Sequence, residues 1–256
     1  MSKFINELKR VSQAELQPIG FKAAQAVPPK PRILLVATLA EVNTEPLADY
    51  VAGADAGLLQ IPKIGSAAKT VKKICQASNM PWGGWLKGIS GGGVKSVVEA
   101  GCDFVVFPTD MTLAILKDDV GKILEVGTSI DEGLLKTVNA LPVDAVLIGA
   151  EPEPGYHLTW HHLMLFQRCA DLLSKPLLAS VPSEVTADEL QALWEAGVVG
   201  VVVKAEVEGG IAQLRQIIDK LAFPSPGKRK KVAPLLPYIG GERETAAEEE
   251  EEEEEE

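Results

Sequence analysis

Three lysines stand where an amine could do covalent chemistry: Lys63, Lys87 and Lys204. Lys204 closes the apolar run Val201-Val-Val-Lys204, so its amine emerges from surroundings that solvate it poorly. A lysine desolvated in this way loses proton affinity, and the neutral amine can add to a carbonyl to give a Schiff base. A carboxylate such as Glu151 or Glu41 would then carry the protons. The expected catalytic set is therefore Lys204, Lys87, Lys63 and Glu151. The plainer alternative is a rim lysine paired with one of the many nearby carboxylates.

Glycines suggest a second chemistry. Gly209-Gly210 stands where a helix would open after the last apolar run, and Ser183 ends the run before it. Backbone amides at such a place can hold a phosphate. With Thr109 and Asp110 after an earlier run, these residues form the expected substrate-binding set. Glu206 and Glu208 put negative charge beside such an anion, and Gly91-Gly-Gly93 is an alternative cradle. Glu151, Glu153, His157 and His161 suggest a third chemistry, a divalent metal. His157 and His161 share a face only if one helix carries both. Pro152, Pro154 and Gly155 break the loop between the acids and His157, and Trp160, Leu163 and Phe166 make packing the simpler role for these histidines. Neither a metal nor a cofactor is expected.

These residues need elements to position them, and an internal repeat says which. The phrase Glu99-Ala-Gly-Cys-Asp-Phe-Val-Val-Phe-Pro108 returns at Glu195-Ala-Gly-Val-Val-Gly-Val-Val-Val-Lys204, and residues 80–87 return at 175–182. Each copy joins a helix end, a glycine stop and an apolar run without polar alternation. Such a run is a strand buried on both faces of a parallel sheet. Strands are expected at 33–39, 53–61, 81–86, 104–107, 123–127, 145–148, 177–181 and 199–203. Helices are expected at 45–51, 66–78, 94–100, 113–120, 131–140 (Leu134, Leu135 and Val138 inward), 159–173, 187–195 and 211–221. Three of the four even strands share a lead-in ending in aspartate: Gly53-Ala-Asp55, Gly101-Cys-Asp103 and Pro142-Val-Asp144. Eight strand–helix units with a half-chain repeat predict an α/β fold, an eight-stranded parallel (βα)8 TIM barrel. All the candidate residues above then follow strand C-termini, where such barrels do their chemistry.

Residues 1–31 read as an N-terminal extension whose Phe4, Ile5, Leu8 and Val11 have helical spacing, packed on the bottom of the barrel. The barrel takes 32–222, and 223–256 is a basic linker (Lys228-Arg-Lys-Lys231) followed by a disordered acidic tail. The formal net charge is −11, but the last nine residues are all glutamate, so the rest carries −11 + 9 = −2. A nearly balanced body argues against a nucleic-acid surface. No apolar run is long enough to span a membrane, and the charged N-terminus is unlike a secretory signal. Cys75, Cys102 and Cys169 lack metal or disulfide-framework spacing, so a cytoplasmic location is expected.

Gly101-Cys-Asp-Phe-Val-Val-Phe-Pro108, Val126-Gly-Thr-Ser-Ile-Asp-Glu132 and Val143-Asp-Ala-Val-Leu-Ile-Gly-Ala-Glu151 together resemble the middle of the keto-deoxy-phosphogluconate aldolases, within the phosphate-binding TIM barrels. The resemblance implies class I aldolase chemistry with a Schiff-base lysine near Val146 to Ile148. No lysine stands there, so the family's mechanism would need the lysine moved to Lys204. The expected function is an aldolase/lyase- or isomerase-like barrel acting on a small carbonyl compound, phosphorylated or not. The alternative is a non-catalytic binding or scaffold barrel with an acidic interaction tail. A small-molecule substrate is the expected partner; a homo-oligomer and a partner for the tail are compatible with the sequence.

Overall fold

The apolar runs become eight strands: β1 (Leu34–Leu39), β2 (Ala56–Ile61), β3 (Trp82–Leu86), β4 (Phe104–Pro108), β5 (Gly121–Val126), β6 (Ala145–Ile148), β7 (Leu177–Val181) and β8 (Gly200–Lys204). Each pairs in parallel with the next, and β8 pairs with β1, closing a barrel. The computed structural model describes residues 2–12, 32–39, 47–61, 71–75, 78–87, 94–113, 119–149 and 157–223. The helices are α1 (Lys3–Ser12), α2 (Leu47–Tyr50), α3 (71–75), α4 (Val94–Glu99), α5 (Glu132–Thr137), α6 (Trp160–Leu172), α7 (Ala187–Glu195) and α8 (Gly210–Lys220). Among the described residues no helix is long and apolar enough to cross a membrane.

β1, β3 and β7 are buried at every position, because one face of each strand fills the barrel and the other packs on helices. Two neighbouring glycines distinguish the faces. A Cβ on Gly84 would stand 2.9 Å from Val97 of α4, outside the barrel, whereas one on Gly83 would stand 2.3 Å from the Phe104 ring. Side chains alternate along a strand, so Gly83 and Phe104 face inward. The pairing carries that parity round the barrel to Thr38, Gln60, Trp85, Glu125, Ser180 and Lys204.

The bottom of the barrel is stitched to α1. Phe4, Ile5, Leu8 and Val11 are buried, and the Phe4 ring lies 4.7 Å from that of Phe104. Gly121 leaves room for Ile5, since a Cβ there would meet Ile5 Cγ1 at 2.6 Å. Two of the lead-in aspartates, Asp103 and Asp144, do the stitching. Asp103 accepts from the Ser2 hydroxyl and from the N–H groups of Lys3 and Phe4 at 2.7, 2.8 and 2.9 Å, satisfying amides at the start of α1. Asp144 takes Lys9 Nζ at 2.7 Å and the Lys122 N–H. Burial raises the Asp144 carboxyl, but those hydrogen bonds and the Lys9 and Lys122 charges outweigh it and hold the group below its ordinary value. Asp55 accepts the Leu35 N–H at 2.8 Å and pairs with Arg32 and Arg215. There burial prevails, and the carboxyl is raised against that amide and both arginines.

Several expected boundaries and orientations change. Residues 131–140 are α-helical only over Glu132–Thr137. Asp131 caps the helix by accepting from the Gly133 N–H, and Val138–Ala140 tighten into a 3-10 turn. Leu134, expected inward, is 61% exposed, because the short helix turns only Leu135 and then Val138 to the barrel. Trp160 does not pack: it stands at the first turn of α6, 83% exposed. Ser78 lies outside helix, as do Asp119 and Val120. β8 extends through Lys204 and β4 through Pro108, so these are strand residues rather than the first residues of loops. The tail and the Gly91–Gly93 loop fall outside the described residues.

Candidate functional site

The C-terminal mouth of the barrel carries a polar ring that is not random in position. The penultimate residue of β1 is Thr38, of β2 Gln60, of β3 Trp85, of β5 Glu125 and of β7 Ser180. All five face inward, and Lys204 at the end of β8 joins them. Each is set by its strand: a backbone held in parallel pairing on both sides leaves no freedom to turn the side chain to the other face.

On one wall Ser180, Lys204 and Thr38 come from the adjacent strands β7, β8 and β1. Thr38 is the register partner of Lys204, and Ser180 that of Val202. Thr38 and Ser180 are each 1% exposed, and neither hydroxyl has a hydrogen-bond partner among the described residues. A buried hydroxyl without a partner costs about 1–3 kcal/mol; two of them beside one lysine mark a place where a ligand atom would be welcome. Gly149 (φ 103°) follows β6 with its backbone close against Ser180; a Cβ there would lie 3.4 Å from Ser180 Cβ. The Thr38 carbonyl accepts from the Ala205 N–H at 2.9 Å, anchoring the loop that carries Glu206. Lys204 Nζ lies 2.8 Å from Glu206 Oε1, the lysine side chain 32% and the glutamate 53% exposed. The lysine thus enters the mouth beside a carboxylate that reaches water.

On the opposite wall the Trp85 indole N–H donates to Glu125 Oε2 at 2.6 Å, with Trp85 fully buried. Lys87 Nζ sits 4.3 Å from the centroid of the Trp85 ring, a cation–π contact. Lys87 is thereby held at the rim, while Glu125 is fixed lower, within the strand.

The remaining candidates divide. Thr109 and Asp110 lie on an exposed turn after β4, and Ser183 on an exposed turn after β7, all at the mouth end. Gly209 is the cap of α8 in the left-handed region (φ 77°). Its N–H points to the Asp49 carbonyl at 3.4 Å, and that of Gly210 to the Val207 carbonyl at 3.1 Å, so these two amides are turned to the chain itself. Lys63, Glu41, Glu151 and Glu153 fall outside the described residues. His157 precedes α6 and His161 lies within it, both exposed, so the i, i+4 face does not form. His162, not singled out from the sequence, closes a capping box with Thr159; burial and then the His161 charge lower its pKa. Among the described residues no three His, Cys, Asp or Glu side chains gather as a metal site.

Thr38, Gln60, Glu125 and Ser180 are not among the candidates drawn from the sequence, and neither is Trp85. For Thr38, Gln60 and Ser180 a signal was available: a single polar residue one place before the end of an otherwise apolar strand. Trp85 gave none, because a tryptophan in a buried strand reads as core.

No protein-family model matches the chain, and no curated protein is similar to it. Among solved structures it is similar to a mutant tryptophan synthase alpha-subunit from the hyperthermophile Pyrococcus furiosus, at 12% identity and a TM-score of 0.58. That match covers 74% of this chain and 97% of that one. It is also similar to 3-hexulose-6-phosphate synthase, at 18% identity and a TM-score of 0.58, covering 73% of this chain and all (100%) of that one. At such identities the likeness is one of architecture, and it agrees with the closed eight-stranded barrel that the strand pairing defines.

Proposed function

We propose that the chain is an aldolase/lyase- or isomerase-like enzyme acting at the barrel mouth on a small carbonyl compound, with phosphorylated compounds the first class to test. The observation that carries this reading is the inward-facing Lys204 beside Glu206, on the strand between those that carry Thr38 and Ser180, two buried hydroxyls without partners among the described residues. A solved barrel of similar architecture bears a sugar phosphate in its name, which suggests where to begin. The keto-deoxy-phosphogluconate aldolases supply the model chemistry, with Lys204 in place of the absent lysine on β6.

In that chemistry the Lys204 amine adds to the substrate carbonyl and water leaves. The resulting protonated imine draws electrons from the adjacent bond. Glu206 takes the proton that Lys204 gives up. Thr38 and Ser180 hydrogen-bond the substrate's polar oxygens. Lys87 is the second amine within reach of the mouth; Lys63 and Glu151 keep their roles as candidates. Thr109, Asp110 and Ser183 would meet the outer part of a substrate, whereas the Gly209 and Gly210 amides, turned to Asp49 and Val207, are not offered to its anionic end.

The test is borohydride trapping with pyruvate and with sugar phosphates, followed by peptide mapping. An adduct on Lys204 is the expected result. No adduct on any lysine sinks the Schiff-base form. The absence of lysine from β6 favours a second reading, a non-catalytic binding barrel with the acidic tail as its contact element. Partners lost on deleting Glu248–Glu256, with no trapped adduct, would support that reading.

A further inference from the structure

Strand pairing sorts the inward side chains into layers. Two strands on from Thr38, through Leu58, the register partner is Gly83; from Trp85, through Val106, it is Ile123. From Glu125, through Leu147, it is Leu178, and from Ser180, through Val202, it is Val36. Each time the next residue of the ring stands two places further on: Trp85, Glu125, Ser180 and, closing the circuit, Thr38. Four such steps give a stagger of 4 × 2 = 8 residues, the stagger at which alternate strands of such a barrel share a layer. Thr38, Trp85, Glu125 and Ser180 are therefore one layer. By the same construction Gln60, Pro108, Gly149 and Lys204 form the layer nearer the mouth. Leu58, Val106, Leu147 and Val202 form the layer beneath, apolar and at most 2% exposed.

The Thr38 layer is thus a polar level between the mouth and an apolar floor. Thr38, Trp85 and Ser180 are each at most 1% exposed, whereas Glu125 is half-buried. Pro108 and Gly149, on the strands either side of β5, put little or no side chain over Glu125, which leaves it open to the mouth. The Trp85 N–H fixes Glu125 Oε2 at 2.6 Å, and Oε1 accepts no hydrogen bond among the described residues.

We propose that this layer is the specificity subsite of the mouth: it takes a hydroxyl-bearing carbon beside the carbonyl, so that the substrates are small hydroxy ketones or hydroxy aldehydes rather than 2-oxo acids, and Glu125 selects them.

The proposal rests on the reading of Lys204 as the amine that adds to the carbonyl. A carbonyl carbon held at Lys204 leaves its neighbouring carbon to the layer below. There Glu125 Oε1 accepts from a substrate hydroxyl, and the Thr38 and Ser180 hydroxyls each donate or accept as the ligand requires. The layer holds one carboxylate and no cation, so a carboxylate or phosphate placed in it would face Glu125 uncompensated. An anionic group belongs instead at the rim, where Lys87 and Lys204 stand. Trp85 keeps Glu125 aimed across the chamber, which makes the selection geometric as well as electrostatic.

The experiment compares dihydroxyacetone, acetone and pyruvate in cyanoborohydride trapping on the full-length protein, each normalised to the same compound on Nα-acetyl-lysine. The expected result is a Lys204 adduct favoured about tenfold or more with dihydroxyacetone over the other two. In Glu125→Gln the adduct should stay on Lys204 while that preference falls about tenfold, with pyruvate gaining. Glycerol, which has the hydroxyls without a carbonyl, reads the subsite independently of imine formation. Its saturation-transfer NMR signal should be present with wild type and weakened in Glu125→Gln. The wild-type series decides even where that variant fails to fold. Equal trapping of the three compounds, a preference for pyruvate, or a preference unchanged in Glu125→Gln overturns the proposal. No adduct on any lysine with glycerol contact retained removes the Schiff base and keeps the subsite; loss of both overturns both.

Discussion

Thr38 and Ser180 place an unpaired hydroxyl in an interior that could have held a methyl group instead. Removing a buried polar atom that has no partner is nearly neutral or favourable, because the folded state no longer bears its desolvation. Thr38→Val and Ser180→Ala should therefore leave the melting temperature unchanged or raise it, by the equivalent of up to about 1 kcal/mol each. If these hydroxyls serve a ligand, the same variants should weaken borohydride trapping. A clear loss of stability in thermal melts would mean that the hydroxyls already have partners. Lys204 separates the two effects in another way. Its partner Glu206 is half exposed, and such pairs contribute only about 0–1 kcal/mol. Lys204→Met should thus melt close to the wild type while abolishing the adduct; an adduct that survives would move the chemistry to Lys87 or Lys63.

At the scale of elements, β3 depends on glycine in a way that composition does not explain. A Cβ on Gly83 would lie 2.3 Å from the Phe104 ring and one on Gly57 2.3 Å from the Trp82 ring. Neither ring can yield within a packed barrel. Gly83→Ala should cost about 1–3 kcal/mol by overpacking, read as a lower denaturation midpoint in urea. The α1 plug answers to two forces. Phe4→Ala empties a fully buried site against Phe104 and should cost about 3–5 kcal/mol. The polar tether adds a pH signature. Asp144 is held below its ordinary value, so the stability it provides is complete above the unfolded carboxylate pKa of about 3.9 and is lost as pH falls through the folded value. The melting-temperature gap between wild type and Lys9→Met should therefore be present at neutral pH and close in acid. A gap independent of pH would show that Lys9 acts through its packing rather than its charge.

For the whole molecule, the sequence repeat is spatially real. Residues 99–108 and 195–204 place β4 and β8 on opposite sides of one closed barrel, each ending in an inward residue, Pro108 in one and Lys204 in the other. Two of the aspartate lead-ins, Asp103 and Asp144, became the underside that holds α1, a role their spacing alone did not disclose. The number and order of the strands were legible because burial on both faces leaves a continuous apolar run, a property written along the chain. Parity was not legible. In Leu177-Leu-Ala-Ser-Val181 every residue is buried, so nothing local says which face looks inward, and Ser180 passes for filler until β8 pairs beside it. Leu134 misled for the opposite reason: helical spacing is local, but how much of the helix forms and which side is covered depend on α6.

The sequence by itself determined that this chain is a (βα)8 barrel with its polar residues gathered at strand ends. Tertiary structure alone decided which of them share a chamber and that Trp85 holds Glu125. Runs and repeats arise from neighbours along the chain, whereas a site arises where closure brings together residues whose separation in sequence carries no information about distance.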